Sequence, residues 1–537
     1  MVYFVYQKGK ICYIANIGSV FAIFCQTTGK EQQTHKTGEV QMKLHADSRN
    51  EKGIRNEMIY GGFLEHFHRQ IYGGVYDPEN PLSDESGFRK DVLEAVQRLK
   101  LPVLRWPGGC FVSSYHWMDG VGKERESTYD RTWRVEESNA FGTDEFIEFC
   151  RKVGCEPYIC TNAGTGGAEE MSDWVEYCNM EKEGRFSRMR IANDHPQPHN
   201  VKYWSVGNEN WSRWEIGAKT SGEWGRLVEE SAKMMKRVDP TIELSAAALP
   251  DVDWNLNLLK QAGDFLDWIS IHQYWDGLWQ VNNYATYEEV MAYTAHTEDS
   301  IRKVRGLLNA LGLEDRIRIA FDEWNLRGWY HPKIHAIEQG RTKEEYLYPR
   351  DENDDNTKYT MADAVFTACF LNTLNRNCDI VHMANYAPII NTRGYICTGA
   401  EGIVRRSTYY VFDLYVNYMG DVVLNEWTEG SPVKAVKNKE GKTENVQMLD
   451  ALVTKFSDKP GMAVAIVNKE ETDTHTVTLD MDGCGEVYCY YVDAPGTDSY
   501  NDFGHQEVEI RSEHLGSYER GMEVVVRPHT VSVFRIG

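Results

Sequence analysis

The stretch that decides the fold is Tyr203–Trp211, with the sequence YWSVGNENW. It begins as a buried strand and ends by presenting Asn208 beside Glu209. A second stretch, Ile319–Asn325 (IAFDEWN), repeats this pattern of an apolar strand, a terminal carboxylate and an aromatic residue. Two carboxylates at the ends of strands are what the cleavage of a glycosidic bond requires, and the nearby tryptophans suit the C–H face of a sugar ring. The two stretches together predict a sugar site.

Around these stretches, from residue 57 onward, short apolar segments alternate with amphipathic ones, which is typical of parallel βα units. The candidate strands are 58–64, 102–106, 156–162, 202–207, 242–248, 267–272, 317–322 and 379–384. Helices are predicted near 86–100, 143–153, 172–180, 222–237, 254–263, 286–311, 360–376 and 407–418. This α/β pattern predicts a (β/α)8 TIM barrel over residues 57–420. The charged segment Tyr346–Lys358 is interpreted as a solvated loop.

After Gly420 the pattern changes to short strands separated by Gly, Asp and Pro turns. The predicted strands are 446–456, 462–467, 474–479, 487–492, 507–510 and 522–534. They predict an antiparallel β-sandwich domain over residues 421–537, which residues 42–56 join as an N-terminal strand. A structural role for this domain is favoured over that of a carbohydrate-binding module.

Residues 1–41 are expected to be a leader or a disordered extension. Lys8 and Lys10 precede the apolar run 11–25, which resembles a signal peptide, but no small-x-small cleavage site follows. The twelve cysteines form no CxxC pair and no zinc-like cluster, and free thiols favour a reducing compartment. We therefore expect a cytoplasmic protein without a metal ion or cofactor; secretion is the alternative if residues 1–41 act as a signal.

The chain of 537 residues is long enough for two domains. Its formal charge of −23 argues against nucleic acid or an anionic membrane as a partner, because both would repel it. A neutral substrate fits this charge, but the charge identifies none.

Polar residues gather at the predicted carboxyl ends of the barrel strands, where the active sites of such barrels lie. Ionisable groups at buried strand ends are costly unless they are paired or functional. The strand-end residues are Glu65, His66, Arg105, Asn162, Asn208, Glu209, His272, Gln273, Tyr274, Glu323 and Asn385.

Glu209 and Glu323 end strands four and seven, which face each other across the barrel mouth. One glutamate would donate a proton to the leaving oxygen while the other attacks C1, and Asn208 would bind the 2-hydroxyl. A retaining mechanism needs carboxyls about 5–5.5 Å apart and an inverting one roughly 6.5–9.5 Å, which the sequence does not decide.

The ordered set of motifs resembles glycoside hydrolase family 51, the α-L-arabinofuranosidases, from residue 57 to the C-terminus. The motifs are Gly61–His66 (GGFLEH), Ile71–Tyr76 (IYGGVY), Arg105–Gly109 (RWPGG), Gly207–Glu209 (GNE) and Phe321–Asn325 (FDEWN). The resemblance implies a barrel with a sandwich, no metal, and commonly a homo-oligomer. It implies that Glu209 is the acid/base and Glu323 the nucleophile of a retaining double displacement.

The same resemblance implies the other site residues. Glu65 and Asn208 would bind ring hydroxyls, Arg105 would brace the nucleophile or a neighbouring carboxylate, and Tyr274 would hydrogen-bond the nucleophile. Trp133 would be the aromatic loop residue beside the sugar. The substrate-binding candidates are thus Glu65, Arg105, Cys110, Trp133, Asn208, His272 and Tyr274.

Three positions depart from the family pattern, and all concern the sugar pocket. Cys110 stands where many members have Asn, and Pro388 stands where a substrate-binding Gln is common. The family often places a Trp two residues after the FDEWN motif. In this chain Leu326–Gly328 follow the motif, and the tryptophan comes after them as Trp329. We expect the catalytic pair to be kept and one sugar contact to be lost or replaced.

The resemblance predicts an exo-acting α-L-arabinofuranosidase that releases terminal arabinofuranosyl residues from arabinoxylan, arabinan or derived oligosaccharides. The alternative is another retaining glycosidase on the same scaffold, such as an endo-glucanase, a β-xylosidase or a galactofuranosidase. A carbohydrate-binding protein on an inactive barrel is a third class, which the presence of both glutamates disfavours.

Overall fold

A computed structural model of the protein describes residues 3–7, 10–17, 20–27, 42–278, 282–329 and 358–537. The chain forms two compact units, Met1–Val40 and Gln41–Gly537. In the first unit, strands β1 (Tyr3–Gln7), β2 (Lys10–Ile17) and β3 (Val20–Thr27) pair antiparallel in chain order. The leader or disordered extension expected over residues 1–41 stays a prediction.

The second unit begins with β4 (Met42–Ile54) and continues into a barrel. The next strands in the chain are β5 (Gly61–Phe63), β6 (Val103–Trp106), β7 (Thr128–Asp130), β8 (Val135–Glu137), β9 (Glu156–Thr161), β10 (Tyr203–Val206), β11 (Glu243–Ala246), β12 (Trp268–Asp276), β13 (Arg318–Arg327), β14 (Val381–Tyr386), β15 (Ile396–Gly399) and β16 (Gly402–Arg405). Eight of them form one sheet in the order β11-β10-β9-β6-β5-β14-β13-β12, and β7–β8 and β15–β16 are separate hairpins.

The pairings within the eight-stranded sheet are parallel. Its two edge strands approach each other, since the Asp267 backbone N–H donates to the Leu244 carbonyl at 2.9 Å. The sheet therefore closes almost completely. Each of its strands overlaps one of the eight predicted strands, which confirms the TIM barrel.

The helices are α1 (Lys90–Arg98), α2 (Thr143–Val153), α3 (Ala168–Asn179), α4 (Arg185–Ala192), α5 (Ser221–Val238), α6 (Val252–Ala262), α7 (Tyr287–Tyr293), α8 (Asp299–Leu311), α9 (Met361–Arg376) and α10 (Ser407–Tyr418). The sequence did not predict α4, and the single helix predicted over 286–311 is wrong. A short 3-10 segment, Thr294–His296, separates α7 from α8. The hydroxyls of Thr294 and Thr297 bond to backbone carbonyls three residues earlier, a local contact that competes with a continuous helix.

The last strands are β17 (Val422–Glu429), β18 (Val433–Lys437), β19 (Thr443–Gln447), β20 (Leu449–Lys455), β21 (Met462–Asn468), β22 (His475–Met481), β23 (Glu486–Asp493), β24 (Asn501–Asp502), β25 (His505–Gln506), β26 (Glu509–Ser517), β27 (Met522–Val526) and β28 (Val531–Ile536). Nine strands form a sheet in the order β26-β23-β28-β21-β20-β17-β4-β22-β27. Strands near both ends of this order, such as β23 and β27, contribute to one apolar core, so the sheet folds over on itself as a sandwich.

The sandwich differs from the prediction in two details. One pair, β22 with β4, is parallel, whereas β4 pairs antiparallel with β17. The strand predicted over 522–534 is two strands, because Pro528, which has no N–H to donate, lies in the turn between β27 and β28.

The barrel and the sandwich share a core. Leu452, Val467 and Val533 of the sheet belong to the same buried cluster as the barrel helices α9 and α10. At this junction Arg376 of α9 binds Asp450 of β20 through two hydrogen bonds of 3.0 and 3.1 Å, and Asn372 donates to the same carboxylate at 2.7 Å. Gln41–Gly537 accordingly form one compact unit. We keep the boundaries at residues 57 and 421 as a proposal.

Residues 346–357 of the segment interpreted as a solvated loop lie outside the described residues. Among the described helices, none is both long and apolar enough to cross a membrane.

Asp450→Ala tests the junction. We expect the free energy of unfolding to fall by about 2 kcal/mol, because the Arg376 guanidinium loses its carboxylate in a largely buried place. Thermal unfolding followed by circular dichroism would measure the change. Glu230→Ala, which breaks an exposed pair with Arg226 on α5, is the control and should change stability by less than about 1 kcal/mol. Equal effects of the two substitutions would contradict a shared core.

Candidate active site

The turn after β10 directs Glu209 into the barrel. Gly207 adopts φ of +68° and Glu209 φ of +46°, so the chain reverses sharply at the strand end. A Cβ atom at Gly207 would lie 2.2 Å from the Asn210 side chain and 2.5 Å from Trp224, so only glycine fits there. Glu209 itself holds a left-handed conformation that non-glycine residues rarely adopt, a form of strain found often at functional sites.

Arg105, at the end of β6, lies at the centre of the site and is fully buried. Its Nη1 donates to Glu323 Oε2 at 2.9 Å, and its Nη2 donates to Asn208 Oδ1 at 2.8 Å. Its Nε lies 3.6 Å from Asp322 Oδ2. The guanidinium therefore fixes two strand ends and balances two carboxylates, with its polar atoms directed to protein groups.

Glu323, on β13, is held from two further sides. Tyr274 of β12 donates its hydroxyl to Glu323 Oε1 at 2.7 Å. Trp329 in turn donates its Nε1 to the Tyr274 hydroxyl at 3.1 Å, although three residues separate it from the motif. Glu323 thus has a fixed orientation.

His272 connects the two predicted catalytic glutamates. Its Nδ1 lies 2.9 Å from Glu209 Oε1 and 3.5 Å from Glu323 Oε2, and its Nε2 lies 3.3 Å from Asp322 Oδ1. Burial alone would lower the pKa of His272, but the charge of Glu323 and the contacts with Asp322 and Glu209 outweigh it and raise that pKa to about 10. The imidazole is therefore a cation at neutral pH.

Asp322 lies beneath the site and is also fully buried. It accepts hydrogen bonds from the hydroxyls of Tyr158 and Ser270. Burial would raise its pKa, but Arg105 and His272 hold the pKa of Asp322 at about 2, so it remains ionised. The sequence analysis quoted Asp322 within a motif and assigned it no role; its place next to Glu323 on a strand was the available signal.

Glu65 lies just after β5, the first strand of the barrel. Its Oε1 accepts from the Phe111 backbone N–H at 3.0 Å and from Trp133 Nε1 at 3.2 Å. A Cβ atom at Gly109 would lie 2.7 Å from both Glu65 oxygens, so the bare glycine backbone is what makes room for this carboxylate. Burial and the charge of Glu323 raise the pKa of Glu65.

Asn208 and Cys110 lie beside these groups. The Asn208 Nδ2 is buried and has no hydrogen-bond partner among the described residues, while its Oδ1 is held by Arg105. The Cys110 Sγ lies within 4.8 Å of a carboxylate oxygen of Glu209. The nine predicted site residues therefore lie close together at the carboxyl ends of the barrel strands.

The structure also brings in Glu215, which the sequence analysis missed. One of its carboxylate oxygens lies within 4.8 Å of both Cys110 Sγ and a Glu209 oxygen. It belongs to the irregular loop after β10, where no periodic pattern singled it out.

Other polar strand ends stabilise the barrel and its loops. His66 contacts Glu137 and accepts from Trp106, and Asn385 donates to the Gly62 carbonyl. Asn162 donates to the Tyr115 carbonyl, and Gln273 accepts from Ser300. Some of the polar residues at the strand ends therefore belong to the site, and others stabilise the barrel around it.

Two clusters of this region have donor atoms close enough to hold a metal ion: Glu209, His272 and Glu323, and Cys110, Glu209 and Glu215. In the first cluster His272 is protonated, and an imidazolium has no lone pair for a metal. A third cluster, Asp144, His195 and His199, includes a direct 2.9 Å contact between Asp144 and His199. The expectation that the protein needs no metal stays a prediction.

Comparison with known proteins identifies the family of this site. Residues 95–292 match the α-L-arabinofuranosidase 1 domain, and residues 322–530 match the α-L-arabinofuranosidase C-terminal domain. The intracellular exo-α-(1→5)-L-arabinofuranosidase of Halalkalibacterium halodurans is 34% identical over 441 residues, which cover 80% of this chain and 85% of that protein.

Solved structures agree with this match. The arabinose complex of the Thermotoga maritima α-L-arabinofuranosidase superposes with a TM-score of 0.82 at 34% identity, covering 92% of this chain and 99% of that one. The GH51 α-L-arabinofuranosidase of Thermotoga petrophila superposes with a TM-score of 0.81 at 34% identity, covering 93% of this chain and all of that one. The chain therefore belongs to the α-L-arabinofuranosidases of glycoside hydrolase family 51.

Proposed function

We propose that the protein is a retaining, exo-acting α-L-arabinofuranosidase that removes terminal non-reducing arabinofuranosyl residues from arabinoxylan, arabinan or derived oligosaccharides. One observation carries the mechanism: a carboxylate oxygen of Glu209 and one of Glu323 lie within 4.8 Å of each other. This proximity favours the carboxyl separation of about 5–5.5 Å in retaining enzymes over the roughly 6.5–9.5 Å of inverting ones.

In the first step, Glu209 donates its proton to the glycosidic oxygen while the Glu323 carboxylate attacks C1. The C1–oxygen bond breaks, the leaving sugar departs with the proton, and arabinofuranose becomes bound to Glu323 as an ester. Hydrogen bonds from Arg105 and Tyr274 orient the Glu323 carboxylate for this attack. Fixing a nucleophile in this way removes part of the entropic barrier to the reaction.

In the second step, Glu209 takes a proton from a water molecule, whose oxygen attacks C1 and releases arabinose from Glu323. Glu209 must be ionised for this step, and the Nδ1 atom of His272 lies 2.9 Å from its Oε1. Asn208 Nδ2, which has no protein partner in the described part of the chain, is free to donate to the 2-hydroxyl of the sugar. That contact strengthens as charge develops at C1.

Glu65 and Trp133 would bind the other side of the sugar ring. Their mutual hydrogen bond leaves Glu65 Oε2 available for a ring hydroxyl. Asp322 touches no substrate in this arrangement and acts by keeping Arg105 and His272 charged and in place.

We further propose a cytoplasmic location and a homo-oligomeric state. The relative from Halalkalibacterium halodurans is named intracellular, and the ten cysteines from residue 110 onward are free thiols, which suits a reducing compartment. The oligomeric state follows from the family resemblance alone, and light scattering of the purified protein would determine it.

The substrate assignment can be tested with 4-nitrophenyl glycosides. We expect the wild type to hydrolyse the α-L-arabinofuranoside, with a kcat/KM at least about tenfold above those for the β-xyloside and the β-glucoside. Cleavage of another glycoside in preference would leave the mechanism in place but overturn the arabinofuranosyl substrate.

The two catalytic roles predict different defects with the same arabinofuranoside. Glu323→Ala should lower kcat by on the order of 10⁴-fold or more, because no nucleophile remains. Glu209→Ala should retain the first step, since nitrophenolate leaves without a proton, and azide should accelerate turnover by attacking the ester without a general base. Glu94→Ala, on the exposed face of α1, is the control. If azide instead restored the activity of Glu323→Ala and gave the arabinofuranosyl azide with retained anomeric configuration, the roles of acid/base and nucleophile would have to be exchanged.

The charge on His272 predicts a pH-dependent contribution to stability. A pKa raised from 6.5 to about 10 stabilises the folded state fully below pH 6.5, and this stabilisation is lost as the pH rises through 10. The unfolding temperature of the wild type should therefore exceed that of His272→Gln most at pH 6, by an amount worth about 5 kcal/mol, and this difference in unfolding temperature should become smaller by pH 10.

Thermal unfolding at pH 6, 8 and 10 would check this expectation. His514→Gln, at an exposed pair with Glu486 on the sandwich, serves as the control. If the difference in unfolding temperature between the wild type and His272→Gln increased with pH, His272 would be neutral in the folded protein.

A further inference from the structure

Outside the candidate active site, an aspartate and two histidines converge between α2 and the segment that precedes β10. Asp144 lies in the first turn of α2, and His195 and His199 lie in the irregular segment after α4. One donor atom of each residue lies within 4.8 Å of those of the other two. Asp144 and His199 are buried, whereas the side chain of His195 is 36% exposed. The proposed reaction uses none of these three residues.

The distances between these donor atoms suit a metal ion. Asp144 Oδ1 lies 2.9 Å from His199 Nε2, and Asp144 Oδ2 lies 3.7 Å from His195 Nε2. Zinc holds nitrogen and carboxylate ligands at about 2.0–2.2 Å in a tetrahedron, which places neighbouring ligand atoms about 3.3–3.6 Å apart. The two observed distances lie close to this spacing on either side. The longer one exceeds the range of a hydrogen bond, so hydrogen bonding does not explain the approach of His195.

The segment that carries the two histidines is held in place by contacts of its own. It reads His-Pro-Gln-Pro-His from His195 to His199, and the two prolines restrict its backbone. The backbone N–H of His195 donates to the Arg190 carbonyl at 3.1 Å, and that of His199 donates to the Cys178 carbonyl at 2.6 Å. Because the imidazoles already converge, little conformational entropy would be lost when an ion binds.

Asp144 also has the outer contact that is typical of a ligating carboxylate. Tyr177 of α3 donates its hydroxyl to Asp144 Oδ2 at 2.8 Å, and Asn193 donates to that hydroxyl at 3.2 Å. Hydrogen bonds of this kind orient metal ligands. Arg151 opposes a cation, since its Nη2 lies 3.5 Å from His199 Nδ1, but its side chain is exposed and can turn towards the solvent.

We propose that Asp144, His195 and His199 form a structural site for a divalent transition-metal ion such as zinc. The ion would bind the Nε2 atoms of both histidines and the Asp144 carboxylate, and water on the exposed side of His195 would take the fourth position. Imidazole nitrogen favours zinc over magnesium or calcium. The neutral His199 ring would then carry its proton on Nδ1 and offer the Nε2 lone pair to the ion.

Such an ion would join α2 to the segment that leads into β10, the strand that precedes Glu209. The ion would therefore stabilise the barrel, and the reaction itself would still need no metal. This inference is independent of the proposed function, because none of its ligands belongs to the candidate active site.

Zinc binding to the purified full-length protein tests the site. The protein is treated with a chelator and titrated with zinc chloride in a calorimeter, and its metal content is measured by mass spectrometry after dialysis. We expect the wild type to retain a zinc ion and to unfold about 2 °C higher than the metal-free protein, because the ion binds only the folded state. His195→Ala should weaken binding at least about hundredfold, since one of three protein ligands is lost.

Tyr177→Phe gives a graded second test. This substitution keeps the ring and all three ligands and removes only the hydrogen bond to Asp144. We expect it to weaken zinc binding about tenfold, an effect that a purely structural hydrogen bond would not have. Circular dichroism would confirm that each variant is folded.

His296→Ala is the matched control. His296 lies 3.0 Å from Asp299 and 3.2 Å from Glu444, and its side chain is likewise 36% exposed. Its two carboxylates face different ring nitrogens, so they share no point with the ring at which an ion could bind. This variant should bind zinc as the wild type does.

Cobalt(II) in place of zinc identifies the ligand atoms. We expect visible absorption bands of a site with nitrogen and oxygen ligands, without the charge-transfer band that a thiolate produces. A thiolate band would place the ion at a cysteine such as Cys110 and overturn the inference. Absence of zinc from the wild type, or equal zinc binding by the wild type and His195→Ala, would overturn it as well.

Discussion

The site depends on a balance of four buried charges. Arg105 and His272 carry positive charge, Asp322 and Glu323 carry negative charge, and all four are at least nine-tenths buried. An isolated charge in such a place would be neutralised or would destabilise the fold, whereas a mutually hydrogen-bonded set is stable and rigid. Because Arg105 comes from β6 and the other three from β12 and β13, the balance also joins opposite sides of the barrel.

This arrangement explains why catalytic groups and scaffold occur at the same edge of the sheet. A parallel barrel brings eight strand ends together, and each end leaves backbone and side-chain polar groups to be satisfied. Some ends solve this problem with local contacts, as Asn385 does with the Gly62 carbonyl. Others, such as Asn208 and Glu209, are satisfied on one side only, and the other side remains available to a substrate. The distinction between site and scaffold lies in those unused hydrogen-bonding positions.

Sequence periodicity predicted the eight barrel strands and most helices because each strand is a buried apolar run followed by a polar residue, as in Tyr203–Glu209. It failed where local side-chain contacts override periodicity, as with the threonines between α7 and α8. Paired motifs pointed to Glu209 and Glu323 at strand ends. Glu215 was missed because it reaches the site through an irregular loop, and neither spacing nor burial of such a loop can be derived from one sequence. Asp322 was quoted but not used, since its partners come from strands far apart in the chain.

The placement of β4 has a consequence for how the chain reaches its native state. This strand precedes the barrel in sequence, yet it pairs with β17 and β22, which come after the barrel. During synthesis β4 leaves the ribosome long before its partners exist, and its backbone hydrogen-bonding groups stay unpaired until almost the entire barrel has been made. Pairing over such a sequence distance is slow, and an open strand edge invites association with other chains. We therefore expect the nascent protein to need a chaperone, and its yield to depend on how quickly the C-terminal strands arrive.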